Sequence, residues 1–116
     1  MFLLSFLSTG FAEEINLKVW HSYRDAEKEA FETLLKEYDQ SHPELTIESL
    51  AVAYDSYANK LEAAIPRNNG PDIFIYAHEK IGSWSGAGII IPIEISEIEL
   101  AEFHPTTQKS LQYEGK

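Results

Sequence analysis

Two short stretches of the sequence place aromatic and charged side chains together, directly after apolar runs. The first is WHSYR at residues 20–24, and the second is YAHEK at residues 76–80. Aromatic rings match the apolar C–H faces of a sugar ring, and charged groups make hydrogen bonds to hydroxyls worth about 1.5–3 kcal/mol each. The chemistry of these stretches fits a carbohydrate, and it fits other polar ligands less specifically.

The strands before these stretches are predicted to bring both to one end of a sheet. INLKVW (15–20) alternates apolar and polar residues, LTIESLAV (45–52) forms a second strand, and DIFIYA (72–77) forms a third. The third is continuously apolar, which is typical of a central parallel strand buried on both faces. Helical patterns separate the three, so we expect right-handed βαβ units, with ligands beyond the carboxyl ends of the strands.

The helices are predicted from apolar residues at spacings of three and four. One helix begins at Asp25 and ends before Pro43, and a second begins with Asp55 as its N-cap and ends at Pro66. The first has one apolar face, made of Ala26, Ala30, Phe31, Leu34, Leu35 and Tyr38. Further on, we expect a short helix stopped at Gly88, an apolar strand in IIIPIE (89–94), and two helical pieces broken near Pro105.

Composition excludes several kinds of site. The net charge of −10 disfavours nucleic-acid binding, which needs a basic surface. The absence of cysteine excludes a disulfide scaffold, a zinc–thiolate site and an iron–sulfur cluster. The four histidines are scattered, with no pair four residues apart, so we predict neither a metal nor a cofactor.

The first twelve residues, MFLLSFLSTGFA, carry no charged side chain. The apolar run is too short to span a bilayer, but it resembles the centre of a secretory signal, with small residues at Gly10 and Ala12. The alternative is an apolar N-terminal strand packed on the core. No cysteine follows the run, so we expect an exported protein that is not lipid-anchored.

A longer stretch, GPDIFIYAHEKIGSWSGAGIIIPI (70–93), resembles the bacterial extracellular solute-binding proteins of sugar ABC importers. It is most similar to maltose/maltodextrin-binding proteins, and NLKVW and YEGK also match that pattern. The resemblance covers residues 15–116 and implies an α/β fold of the type II periplasmic-binding-protein class, with a mostly parallel sheet and flanking helices. Residues 13–116 would be the N-terminal part of the first of two lobes.

The resemblance also implies a function. Such a protein would be a periplasmic monomer that binds maltose, maltodextrin or a related oligosaccharide and presents it to the membrane permease subunits of an ABC importer. It would bind without catalysing a reaction. A ligand-sensing domain on the same fold is an alternative.

Sugar contacts are implied at Trp20, Arg24, Tyr76, Ala77, Glu79 and Lys80. Tyr76 stands where the family often has tryptophan, Ala77 would present its backbone, Glu79 would accept hydrogen bonds and Lys80 would donate them. Trp20 matches an aromatic residue at the end of the first strand. The loop HSYRD (21–25) is shorter than in the family and lacks its Asp-Lys pair, so Arg24 would replace that lysine.

Several of these residues have purely structural alternatives. Trp20 and Tyr76 could be core or rim residues, and Glu79 and Lys80 could simply open a solvated helix. Trp84 is expected in the core, and His78 is expected to cap a helix or bond backbone.

A glycoside-processing enzyme would need two carboxylates across the scissile bond. Asp72 and Glu79 would lie about 20 Å apart along an extended strand at ~3.3 Å per residue, which is too far for either mechanism. We expect Asp72 to fix the turn instead.

Overall fold

A computed structural model describes residues 14–115, so the predicted signal at residues 1–12 lies outside the described residues. Three parallel strands form one sheet in the order β2-β1-β3. These strands are β1 (Ile15–His21), β2 (Leu45–Ala51) and β3 (Ile73–Phe74). The register pairs His21 with Ala51 and Trp20 with Phe74, so all three strands end at the same side of the sheet. We call this side the carboxyl end of the sheet.

Two helices connect the strands, α1 (Asp25–Ser41) and α2 (Tyr54–Ala64), followed by a 3-10 turn at Ile65–Arg67. The helix before Pro43 is confirmed. The N-cap predicted at Asp55 is wrong, because α2 begins at Tyr54 with Ala53 as its N-cap residue. Asp55 lies instead in the first turn, where its carboxylate complements the helix dipole.

The buried core lies between the sheet, α2 and α3 (Ile81–Gly86), which follows a 3-10 turn at His78–Lys80. Its buried residues are Trp20 of β1, Tyr57 and Leu61 of α2, Trp84 of α3, and Ile89, which follows α3. Phe74 and Tyr76 pack against this cluster while remaining partly exposed. The residues that end β1 and β3 are therefore fixed by the same apolar contacts.

The third strand is shorter and less buried than the sequence predicts. Only Ile73–Phe74 is regular strand, and within residues 14–115 it pairs with β1 alone. Ile73 is 49% exposed, so the expected burial on both faces is wrong for these residues, and β1 is the central strand. The Ile75 N–H still donates to the Trp20 carbonyl (3.0 Å), which keeps the chain extended past the last paired residue.

The segment after α3 also departs from prediction. The turn at Gly88 is confirmed by its φ of 68°, but residues 89–94 form no strand. A strand needs a neighbour for its backbone groups, and the sheet described here offers none to this segment, whose Ile91 and Ile93 are 81% and 75% exposed.

The last described residues form two short helices, α4 (Glu97–Ala101) and α5 (Pro105–Ser110). This confirms the predicted break near Pro105. A capping box formed by Ser96 and Glu99 begins α4, a local signal that the sequence pattern contained. None of the helices described between residues 14 and 115 is both long and apolar enough to cross a membrane.

Candidate ligand-binding site

Three connections meet at the carboxyl end of the sheet. Residues 22–24 follow β1, residues 52–53 follow β2, and residues 75–77 follow β3. Because the strands are parallel, both sequence clusters emerge on this side, Arg24 from the first connection and Tyr76 to Lys80 from the third. The connection after β2 leads to Tyr54, which sequence reasoning did not include.

Tyr54 and Tyr76 form a parallel aromatic pair. Their ring centroids lie 6.2 Å apart and their planes differ by 4°. Tyr54 is 52% exposed, whereas Tyr76 is partly covered by Trp84, at 4.8 Å between centroids. The pair leaves aromatic surface open to solvent beside the predicted polar residues.

The Tyr76 hydroxyl is neutral at physiological pH, as a tyrosine phenol ordinarily is, and its surroundings reinforce this. Its pKa is raised, first because partial burial disfavours the phenolate, and further because Tyr54 and Glu79 lie nearby. A neutral phenol keeps its O–H and can donate a hydrogen bond as well as accept one. Tyr76 therefore offers both a ring face and a donor.

Lys80 is positioned by an interaction that the sequence did not reveal. Its ammonium lies 3.6 Å from the Glu62 carboxylate, which also accepts a 2.7 Å hydrogen bond from the Trp84 indole N–H. That hydrogen bond is the main reason why the pKa of Glu62 is lowered, and Lys80 adds to it. Trp84 is buried, as expected, so the core helps to fix the position of Lys80.

Trp20 lies in the core rather than at the surface. It is 8% exposed, and the Lys60 ammonium sits 5.1 Å from its ring centroid. This arrangement favours the packing alternative for Trp20 over direct contact with a ligand. Tyr76 packs against the same buried cluster.

The other predicted contacts are open to solvent. Ala77 and Glu79 are exposed. His78, which was expected to cap a helix or bond backbone, is also exposed and begins the 3-10 turn, whose N-cap residue is Ala77 and which has no side-chain cap. Arg24 is exposed at the N-cap of α1, and its carbonyl accepts from the Lys28 N–H (3.2 Å). An apolar groove of about 230 Å³ runs beside this site, lined in part by Tyr76, Ala77 and Trp84.

Asp72 lies at the opposite end of β3. Its carboxylate accepts a 2.8 Å hydrogen bond from the Lys18 N–H, and its own N–H donates to the Lys18 carbonyl (2.9 Å). Asp72 thus joins the start of β3 to β1. In the part of the chain that the structure describes, no three histidine, aspartate or glutamate side chains cluster as metal ligands.

Comparison with known proteins identifies the family. A family model described as bacterial extracellular solute-binding protein matches residues 24–110, and the chain belongs to this family. A curated relative, the maltotriose-binding protein of Pyrococcus abyssi (strain GE5 / Orsay), is 33% identical over 99 residues. That match covers 84% of this chain and 21% of the relative. The resemblance read from the sequence is therefore confirmed.

Solved structures confirm the fold. The structure of CpMnBP1 with mannotriose bound has a TM-score of 0.79 at 24% identity, covering 88% of this chain and 27% of that one. An extracellular solute-binding protein from Staphylococcus aureus, in complex with maltose, has a TM-score of 0.73 at 22% identity, covering 87% and 26%. The chain spans about a quarter of the length of these two proteins.

Proposed function

We propose that residues 13–116 form the N-terminal part of the first lobe of a sugar-binding protein. The protein would capture maltose, maltodextrin or a related oligosaccharide and serve an ABC importer. The observation that carries the proposal is the stacked pair of Tyr54 and Tyr76 beside Glu79 and Lys80, at the carboxyl end of the sheet. Membership of the solute-binding family supports it.

Each side chain in this group would take a different part in binding. The open faces of Tyr54 and Tyr76 would pack against the C–H faces of sugar rings, while the Tyr76 O–H donates to a hydroxyl. Glu79 would accept hydrogen bonds and Lys80, held by Glu62, would donate them. Ala77 would offer its backbone to the sugar, and Arg24 would contribute a contact from the connection after β1. Trp20 would take part indirectly, by packing in the core beneath the site.

In the whole protein, a second lobe would close over the sugar by a hinge motion, and the closed form would be presented to the permease subunits. Residues 1–12 would direct export to the periplasm, where the protein would act as a monomer. Binding would be its entire task. Incubation with maltodextrins should therefore generate no new reducing ends, and their appearance would favour a glycoside-processing enzyme.

Replacing Glu79 tests the site directly. In the full-length protein, Glu79→Ala should weaken maltotriose binding by about tenfold to a hundredfold in calorimetry, because a charge-assisted hydrogen bond is lost. Glu97→Ala, which removes an exposed carboxylate on α4, should leave the affinity unchanged.

Two results would count against the proposal in different ways. An unchanged dissociation constant for Glu79→Ala would remove Glu79 from the site. Failure of the unmodified protein to bind maltose, maltotriose or mannotriose would contradict the proposed class of ligand.

A further inference from the structure

His21, the last residue of β1, is a fully buried imidazole whose two nitrogens face different elements. Nδ1 accepts a hydrogen bond from the Tyr23 N–H (3.2 Å), so in the neutral ring the proton resides on Nε2. Nε2 lies 3.7 Å from the Glu32 carboxylate of α1, beyond hydrogen-bond distance. The His21 side chain therefore holds the connection 22–24, while its backbone carbonyl accepts from the Val52 N–H (2.8 Å).

The surroundings of His21 define which groups act on its charge. The imidazole packs against the rings of Tyr23 and Phe31, at 5.6 and 5.0 Å between centroids. The charged groups that influence it, Glu32 and Lys28, both come from α1. On the side of β2, its paired residue is the uncharged Ala51.

We propose that His21 is a positioning residue: its neutral ring holds connection 22–24 in place for ligand binding, and its protonation releases that connection. A protonated imidazole carries a hydrogen on both nitrogens and cannot accept the Tyr23 N–H. Arg24, which follows Tyr23 and is a proposed ligand contact, would then be held by its carbonyl bond to the Lys28 N–H without the support of the Tyr23 bond, so its position would be less fixed. The inference rests on the proposed function only because a sugar is the ligand whose binding is used to test it.

The direction of the pH dependence follows from the same contacts. Burial lowers the pKa of His21 from its ordinary value of 6.5, Glu32 opposes this shift, and Lys28 reinforces it. The hydrogen bond from Tyr23 therefore persists at neutral pH and is lost only below about pH 6.5. Once protonated, the imidazole ring is attracted to the Glu32 carboxylate and repelled by the Tyr23 N–H, so both interactions favour release of connection 22–24.

Calorimetry with maltotriose between pH 7.5 and pH 5 tests this in the full-length protein. The affinity should fall by about threefold to tenfold on acidification, as expected for the loss of one hydrogen bond. Glu32→Gln should move the midpoint of this change to lower pH, and Lys28→Gln should move it to higher pH. Both side chains are partly exposed, so neither change disturbs the core.

The opposite shifts of the midpoint expected for Glu32→Gln and Lys28→Gln distinguish this role of His21 from a purely structural one. A midpoint that stays fixed in both variants would overturn the proposal. His21→Asn supplies a non-titrating acceptor in place of Nδ1, and it should abolish the pH dependence. If His78→Asn abolishes it instead, the pH dependence does not arise from His21, and the proposal is wrong.

A measurement without sugar separates this inference from the proposed function. In NMR spectra, the Tyr23 amide signal should shift with the same midpoint as the His21 ring protons. A protein that binds no sugar but shows this coupled titration would contradict the proposed function and preserve the role of His21. A Tyr23 amide that is unaffected while His21 titrates would contradict the role of His21, whatever the sugar affinity.

Discussion

The two connecting helices have opposite relations to the core. Helix α1 has 17 residues and a clear apolar face, yet none of its residues is buried, and Leu34 is 62% exposed. Helix α2 has only 11 residues, and its Tyr57 and Leu61 are completely buried. The comparison teaches that periodicity identifies a face that can pack, whereas the neighbouring elements decide whether that face becomes core.

The neighbours of the two helices explain the difference. Tyr57 and Leu61 of α2 are enclosed by Trp20 of β1, Trp84 of α3 and Ile89. Helix α1 is held by more local contacts, including Phe31 against His21 and the Asp39 carboxylate, which accepts from the Ile47 N–H (2.8 Å). Stability should therefore depend much more on the apolar residues of α2 than on those of α1.

The same substitution in both helices gives the largest expected contrast. Leu61→Ala should lower the free energy of unfolding by about 2–5 kcal/mol, because it leaves a cavity in the core. Leu34→Ala should change it by no more than about 0.5 kcal/mol, because the side chain is exposed. Urea unfolding followed by circular dichroism measures both. Similar losses of unfolding free energy in the two variants would contradict the difference drawn between the two helices.

Removing one hydroxyl from each helix sharpens the contrast. Among the described residues, the buried Tyr57 hydroxyl makes no hydrogen bond of good geometry, although the Ile75 backbone lies close enough to lower its pKa, so Tyr57→Phe should stabilise the protein by no more than about 1 kcal/mol. Tyr38→Phe, at a 54% exposed position of α1, should have almost no effect. Thermal unfolding of both variants measures this, and a destabilised Tyr57→Phe would reveal that the hydroxyl has a partner.

Tyr57 of α2 should also make the stability of the protein depend on pH. Burial raises the pKa of Tyr57 to about 12. In the unfolded chain the phenol ionises near pH 10, so the unfolded state releases its proton first and stability falls as the pH rises above 10. This part of the alkaline loss should be absent in Tyr57→Phe.

The smallest expected effect is a loss of stability at acid pH when Glu62 becomes protonated. The pKa of Glu62 is below its ordinary value of 4.5, mainly because of the hydrogen bond from Trp84. The Glu62 carboxylate therefore contributes to stability above pH 4.5, and this contribution is lost as the pH falls through its lower pKa in the folded state. Tryptophan fluorescence should follow this loss. Glu62→Gln should weaken the acid dependence, while Glu37→Gln on exposed α1 should not, and equal effects would exclude a specific role for Glu62.

The sequence predicted those features of the fold that depend on local pattern. The parallel order of strands and helices, the end of α1 before Pro43, and the break near Pro105 all follow from periodicity and proline chemistry. The N-cap at Asp55 and the strand at residues 89–94 were wrong because the first depends on the backbone of Ala53 and the second requires a pairing partner.

The candidate site was predictable only in outline. Topology alone brings the first and third connections to one end of the sheet, so grouping Arg24 with residues 76–80 needed no coordinates. The pairing of Tyr54 with Tyr76 and the link from Trp84 through Glu62 to Lys80 join residues from different elements. No spacing rule in a single sequence reports such contacts.

The isoleucine-rich segment after α3 has a consequence for aggregation. Isoleucines at residues 89, 90, 91, 93 and 95 give it a composition that favours cross-β association between chains, and Ile91 and Ile93 are open to solvent. Pro92 stands between those two, and it has no N–H with which to extend a sheet. We expect Pro92 to act as a gatekeeper that hinders this apolar segment from pairing with a neighbouring molecule.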